Sequence, residues 1–226
     1  MRIIKNIPVK LKPEKVIKEL RLNKEKSLGA ILELLETAEP LIQPKVSYKV
    51  AYINEKGKDT IKINGVTFSS RVLRINLEKT EKVFPYIITI GKGLETRASA
   101  SKDLLQQFCL ENIGDMALGL CEKYLERHLK KQHGLEKLAS MSPVSLEDWP
   151  VTEQKPLFSL FGKKLRLTGV KLNEHLLMIP RKSVSGLYFP TEVTFFSCQL
   201  CQREHCPARK APYNEKLKKK YGLDEE

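Results

Sequence analysis

Long apolar runs are missing from this 226-residue chain. No stretch approaches the ~20 residues that a helix needs to cross a bilayer, so no membrane partner is expected. The opening residues, Met1-Arg2-Ile3-Ile4-Lys5-Asn6, are soon followed by Lys10, Lys12 and Lys15. That pattern has no apolar centre for a secretory leader, and a cytoplasmic protein is expected. Aromatic residues are scarce at 7%, and they are not interleaved with the basic clusters as a base-stacking platform would be. Nucleic acid is therefore the weaker candidate partner. Catalytic signatures are also missing. Gly91-Lys92-Gly93 does not complete a dinucleotide fingerprint, and there is no P-loop, no Ser/His/Asp arrangement and no paired carboxylate motif. Hydrolase chemistry has no positive support. The cysteines number five, an odd count, which argues against a disulfide framework in a reducing compartment.

What the chain does have is enough hydrophobic residues, 41%, to bury a full core, together with a formal net charge of +13. Such a charge suits an acidic protein partner, nucleic acid or an anionic surface. Part of the excess is local. Lys163, Lys164, Arg166, Lys171, Arg181 and Lys182 lie between Gly162 and Gly186, with Glu174 the only acid among them. A second cluster, Lys216-Leu217-Lys218-Lys219-Lys220, reads as a frayed terminal helix.

Residues 3–11 read as a strand, residues 13–20 as a short helix opened by Pro13, and residues 25–38 as an amphipathic helix ended by Pro40 and Pro44. Val46–Ile53, Ile61–Ile63 and Leu73–Leu77 alternate as half-buried strands do. Val83–Ile90 is almost continuously apolar and should be a central strand. Residues 101–132 give the longest helix, with Leu105, Phe108, Cys109, Ile113, Met116, Leu120 and Tyr124 on one face. His133 and Gly134 should end it, and a cationic His128 or His133 would suit that C-terminus. Residues 139–153 read as a long ordered loop, Gln154–Phe161 as a short helix, and Leu165–Leu172 and Gly186–Phe196 as two more strands.

Two stretches carry chemical information. In the first, residues 169–189, the small residues Ser183, Ser185 and Gly186 leave peptide groups approachable. Either a ligand lies close there or the segment is a tight hairpin. In the second, Cys198, Cys201 and Cys206 have Cys-x2-Cys-x4-Cys spacing and can converge on a metal. Cys206-Pro207 matches the end of an iron–sulfur ligand run. Zinc, an iron–sulfur cluster and unligated thiols all stay open.

The first stretch resembles the activation domain of cobalamin-dependent methionine synthase. The matching residues are Gly169, Leu172, Met178, Ser183-Val184-Ser185-Gly186 and Tyr188-Phe189. Upstream, Ser142-Pro143-Val144-Ser145 stands where that family has a Pro-Gly-Tyr-Pro loop, and Thr152-Glu153-Gln154-Lys155 stands at its Thr-Glu-Lys helix start. Tyr124-Leu125-Glu126-Arg127-His128 is similar to the end of the family's long helix. Thr89-Ile90-Gly91 with Leu94-Glu95 resembles a turn of free-standing relatives. The similarity is strongest over residues 100–196.

The resemblance implies an α+β fold, a curved antiparallel sheet packed by a long helix. It implies one such domain over residues 1–197; the Cys-rich segment and basic tail over 198–226 would be an addition to that domain. It implies assistance in reductive reactivation of a corrinoid methyltransferase. The cobalamin would be held by a partner protein, and an acidic electron donor would be a second partner. Candidate ligand-binding residues are Ser142, Pro143, Ser145, Asp148, Trp149, Glu153, Lys182, Ser183, Ser185, Gly186 and Tyr188. Trp149 has a second reading, as a packed anchor of its loop. The family's S-adenosylmethionine site uses an Arg just before the loop, the loop's Tyr and acidic side chains. Here there is no Arg around Ser140, Val144 replaces the loop Gly, Ser145 stands nearest the Tyr, and no acid stands clearly near Gly119. Weak or absent S-adenosylmethionine binding is expected. The alternatives are a basic nucleic-acid-binding protein with a small zinc site, or a docking module without chemistry of its own.

Overall fold

The strand expected at the centre of the chain is at the centre of the structure. The computed structural model describes residues 1–206 and 209–223, so Pro207 lies outside the described residues. In chain order the elements are β1 (Arg2–Lys5), α1 (Pro13–Glu19), α2 (Lys24–Ala38), β2 (Lys45–Tyr48), β3 (Ala51–Lys56), β4 (Thr60–Ile63), β5 (Val66–Ser69), α3 (Arg71–Asn76), β6 (Lys82–Thr89), α4 (Gly93–Ala100), α5 (Leu104–His133), β7 (Leu138–Met141), α6 (Gln154–Ser159), β8 (Lys171–Leu172), β9 (Met178–Ile179), β10 (Ser183–Pro190) and α7 (Glu215–Lys220). The fold is α+β, with every strand pairing antiparallel.

Along one edge β6 pairs with β10, from Ser183↔Thr89 to Tyr188↔Phe84. Along the other it pairs with β2 and then β3 in a single register, Tyr48↔Tyr86 and Ala51↔Val83. That register sets Lys49 opposite Pro85. The Lys49 amide bonds the Pro85 carbonyl, but proline has no N–H to return the bond. The strand expected at Val46–Ile53 is thus one run interrupted by a proline on its neighbour. β1 flanks β2, β4 and β5 extend outward from β3, and β7 closes the far edge on β10.

Both faces of β6 are covered. Phe84, Tyr86 and Ile88 point into a core shared with α1, α2 and α5. Val83 and Ile87 point into a second core with Phe68, Leu73, Trp149, Leu157 and Leu187. This two-residue alternation between two apolar layers is why the strand reads as a continuous apolar run. Burying each such side chain contributes roughly 1.5–3 kcal/mol.

α5 begins where the Asp103 carboxylate accepts the Leu105 and Gln106 amides, and it ends at Gly134 with φ 61°. Its buried face is Cys109, Leu110, Ile113, Gly114, Ala117, Cys121, Leu125 and Leu129. The expected face was rotated from this one: Leu105 is 59% and Phe108 52% exposed. Small residues, Gly114, Ala117 and Cys121, let the helix approach the sheet, and the larger Met116, Leu120 and Tyr124 pack at its flanks.

Other expectations are corrected. Leu73–Leu77 belongs to the helical turn of α3 and its C-cap, because the Ser70 hydroxyl caps the Leu73 amide and Val72, Leu73 and Leu77 are buried at helical spacing. Leu165–Leu172 is mostly a 3-10 turn, Gly162–Thr168, ended by Gly169 at φ 79°. The first strand stops at Lys5 because Asn6 takes φ 58°. The last long strand starts earlier than expected, at Ser183, and ends at Pro190. The terminal helix is not frayed: Tyr221 is buried, packs on Phe195, and its hydroxyl donates to Asn76 Oδ1 at 2.9 Å.

The end of α5 holds two half-buried imidazoles. His128 Nε2 lies 2.8 Å from the Tyr48 hydroxyl, and His133 stacks on Phe84. Burial lowers both pKa values; Arg2 adds to this at His128, and Lys82, Arg2 and His128 add to it at His133. The cationic role expected for them is therefore disfavoured. A folded pKa below the unfolded value means that the unfolded chain binds more protons between the two values. Stability is fully present above the ordinary imidazole value of about 6.5 and is lost as pH falls through the lowered ones. Urea unfolding at pH 7.5 and 5.5 should show this loss, and His133→Phe should reduce it.

Candidate functional site

β7 runs beside β10 with Met141 opposite Leu187, so the loop that follows β7 starts at Gly186. The contact is close. A Cβ on Gly186 would lie 2.4 Å from the Met141 carbonyl oxygen, 2.7 Å from Ser142 Oγ and 2.9 Å from the Tyr86 hydroxyl. The small residue therefore admits the chain's own backbone at this point. Tyr86 and Tyr188 stack with ring centroids 4.7 Å apart. The Tyr86 hydroxyl lies 3.3 Å from Ser142 Oγ, and the Tyr188 hydroxyl donates to the Glu122 carbonyl at 3.3 Å. Burial raises both phenol pKa values, and both hydroxyls stay protonated donors.

Ser142, Gly186 and Tyr188 are thus brought together, with Tyr86 and Glu122 beside them. Neither of the latter two was among the candidates from sequence. Tyr86 lies in the apolar strand, where it reads as core, and Glu122 stands three residues beyond the Gly119 region where an acid was sought. Burial raises the Glu122 pKa, with Lys210 and Lys123 opposing. Its charge is felt at both tyrosines. Among the described residues its carboxylate has no hydrogen-bond or ion-pair partner.

The other candidates have structural partners of their own. Asp148 accepts from the Ser70 hydroxyl and from the Arg71 and Val72 amides at 3.0 Å each, so it caps α3 from across the fold. Trp149 is fully buried against Phe68, and its packed-anchor reading is the one its contacts match. Glu153 accepts the Ser69 amide at 3.1 Å. Ser185 donates to buried Gln154 at 2.8 Å, and Ser183 to Thr89 at 2.9 Å. Pro143 is buried. Ser145 donates to the Ser142 carbonyl at 2.5 Å and lies 3.4 Å from Ser197 Oγ.

Arg181 and Lys182 have acidic partners that their local sequence did not reveal. Arg181 pairs with Glu95 and Glu111, and Lys182 pairs with Glu111 at 2.9 Å and Asp115 at 2.7 Å. Burial opposes ionisation of Glu111, but the Lys182 and Arg181 contacts outweigh it and lower its pKa. The Lys182 stem passes over Gly114, at 3.1 Å from a Cβ built there. These pairs tie the start of β10 to α4 and α5.

The three C-terminal cysteines share one loop, anchored to the second core by buried Leu200. All five cysteines are unpaired thiols. Among the described residues, no three His, Cys, Asp or Glu side chains stand close enough to hold one metal ion. Also among the described residues, no helix is long and apolar enough to cross a membrane.

With this geometry in place, comparison with known proteins defines a class. Residues 146–211 match the family model of the vitamin B12 dependent methionine synthase activation domain. A solved structure of the MetH reactivation domain bound to AdoHcy aligns over 86% of this chain and 80% of its own, with TM-score 0.59 and 15% identity. No curated protein sequence matches the chain. The chain thus has the fold of a methionine synthase activation domain, and its sequence matches that family over the segment containing Asp148, Ser183–Tyr188 and the three cysteines.

Val144 keeps a glycine-like backbone with φ 72° while its amide donates to the Trp149 carbonyl at 2.7 Å. A β-branched residue is strained there by roughly 1–3 kcal/mol. Val144→Gly should therefore stabilise the chain by about 1 kcal/mol after the entropy cost of glycine. Gly186→Ala should destabilise it by about 1–3 kcal/mol through overpacking. Equilibrium urea denaturation of the two variants checks both signs.

Proposed function

We propose that this chain assists the reductive reactivation of a corrinoid-dependent methyltransferase whose cobalamin is held by a partner protein. The observation that carries this reading is the joint match of fold and of residues 146–211 to the activation domain. Cobalamin on the partner supplies the redox and methyl-carrying chemistry, and this chain supplies binding and placement.

The part the residues play follows from their positions. The β6–β10 pair and β7 deliver the Ser142–Ser145 loop to a fixed place on the sheet edge. Ser142, Tyr86 and the half-buried Glu122 line that place. Tyr86 is buried and its hydroxyl faces Ser142, while Glu122 offers a counter-charge to a cationic group such as a sulfonium or an amine. Lys163, Lys164, Arg166 and Lys171 remain exposed, and no salt bridge among the described residues involves them. They give a basic surface that would speed encounter with an acidic electron donor.

Calorimetry against cobalamin-loaded corrinoid proteins should detect association with one of them. Absence of binding to all of them, together with tight binding to RNA or DNA that weakens steeply with salt, would replace this reading by nucleic-acid binding.

An S-adenosyl ligand would meet this site without an arginine to grip its carboxylate. The loss of one charge-assisted, bidentate contact costs about 1.5–3 kcal/mol, or roughly tenfold to a hundredfold in affinity. Equilibrium dialysis should accordingly give S-adenosylmethionine binding weaker than the low micromolar range. Low-micromolar binding would mean that other residues have rebuilt the grip, and Glu122→Gln would then be the first variant to test.

A further inference from the structure

The thiols of this chain fall into two settings. Cys109 and Cys121 are buried in α5, where burial raises both pKa values, that of Cys121 to about 12. They are core side chains. Cys198, Cys201 and Cys206 are half-buried thiols beyond β10.

Cys198 and Cys201 stand at the two ends of one turn. The Gln199 amide donates to the Phe196 carbonyl at 2.9 Å, the Leu200 amide to that of Ser197 at 3.0 Å, and the Cys201 amide to that of Cys198 at 3.4 Å. Bonds of this kind make a short 3-10 ladder, in which side chains three residues apart eclipse one another. Cα atoms so placed lie within about 7 Å, and a disulfide joins Cα atoms about 4.4–6.8 Å apart. The turn therefore sets both thiols on one side, at a spacing that a disulfide closes without a large backbone movement. Cys206 lies outside the ladder.

The turn is held from several directions. The Phe196 amide donates to Gln199 Oε1 at 2.9 Å, the Asn214 amide donates to the Gln199 carbonyl at 2.8 Å, and Leu200 is buried in the second core. The Arg209 guanidinium donates from Nη1 to the Cys198 carbonyl at 2.9 Å and from Nη2 to the Cys201 carbonyl at 3.0 Å. One planar fork thus spans the turn and fixes the separation of the two cysteine backbones. It also keeps a permanent positive charge beside both, and half-exposed cysteines next to a cation are the reactive kind. The Lys210 amide donates to Cys198 Sγ at 3.4 Å, while Cys201 rests against the second core.

We infer that Cys198 and Cys201 form a reversible dithiol–disulfide couple, with Arg209 as its positioning residue. The reaction is thiol–disulfide exchange with a small disulfide of the glutathione class. One cysteine thiolate attacks a sulfur of that disulfide, whose S–S bond breaks and releases one thiol. The other cysteine thiolate attacks the resulting mixed disulfide and releases the second thiol. The protein gives up two protons and two electrons and gains one S–S bond, and the small disulfide takes up both. Excess small thiol runs the sequence backwards. The held geometry makes the second step intramolecular, which favours ring closure over a lasting adduct. Ser197 Oγ lies 3.4 Å from Ser145 Oγ, so the couple sits beside the loop that follows β7. The inference does not rest on the corrinoid reading.

Equilibration of the full chain with mixtures of reduced and oxidised glutathione tests it. The remaining thiols would be alkylated in denaturant and the chain cut with trypsin. That separates residues 183–203, with Cys198 and Cys201, from residues 204–209, with Cys206. The expected product is an unalkylated 183–203 peptide, lighter by two hydrogen atoms, with Cys109, Cys121 and Cys206 alkylated. Dithiothreitol should restore every thiol. Cys198→Ser should stop at a glutathione adduct on Cys201, and Cys201→Ser at an adduct on Cys198. Arg209→Gln should need a mixture at least about threefold more oxidising for half conversion, because its turn is less well held for closure, with far-UV circular dichroism unchanged. The readout on the unmutated chain stands even where a variant fails to fold. No loss of thiols in the most oxidising mixture, adducts that persist on the unmutated chain, or a disulfide that includes Cys206 would overturn the inference. An unchanged midpoint in Arg209→Gln would overturn the role of Arg209.

Discussion

The pairing of β6 with β10 is the contact on which the rest of the molecule depends. β6 separates two apolar layers, with Phe84, Tyr86 and Ile88 on one side and Val83 and Ile87 on the other. β10 repeats the division with Tyr188 on one side and Leu187 and Phe189 on the other. A slip of one residue between them would turn every side chain to the wrong layer, so the register is strongly specified. Once it is set, β7 can dock on β10 only where Gly186 leaves room for the Met141 carbonyl and Ser142. The position of the candidate loop is therefore a consequence of core packing.

The same loop is also held from its far end. Asp148 caps α3, Trp149 fills the second core, and Glu153 receives the Ser69 amide. Three polar or aromatic residues that look like recognition groups spend their hydrogen-bonding capacity and apolar area on joining the loop to the β5–α3 corner. What they leave accessible is the stretch around Val144 and Ser145, with Val144 in a strained conformation. Strain held by such surroundings is found where a backbone shape matters more than the side chain that adopts it. Tyr86, Tyr188 and Glu122 approach the start of this stretch from the other layer.

How much of this was legible in the sequence depended on the range of the signal. β6 and α5 were readable because their periodicity is written in consecutive residues, and Gly134 marks the end of α5 directly. The α3 segment was misread because Leu73, Ile75 and Leu77 alternate, while Leu73 and Leu77 also stand one helical turn apart. The deciding Ser70 cap is reinforced by Asp148, which lies 78 positions away along the chain. The acids that pair with Arg181 and Lys182 were hidden for the same reason, since Glu95, Glu111 and Asp115 lie on α4 and α5. The spacing of the three cysteines was plain from sequence, but the contacts that Arg209 makes with the carbonyls of Cys198 and Cys201 through its guanidinium, and of Cys206 through its amide, were not. The family resemblance supplied what periodicity could not, and at 15% identity the shared fold is carried by its pattern of layers more than by particular residues.

The central claim is that this fold places a partner's oxidised corrinoid for rescue, and the most direct measurement follows that corrinoid itself. A corrinoid protein that binds this chain would be poised in the cob(II) state, with reductant and S-adenosylmethionine in excess. The visible spectrum would be followed with and without the chain. The account predicts that the cob(II) bands give way to those of the methylated form faster when the chain is present, with a rate that saturates as the complex fills. A rate that is unchanged at saturating chain would contradict it.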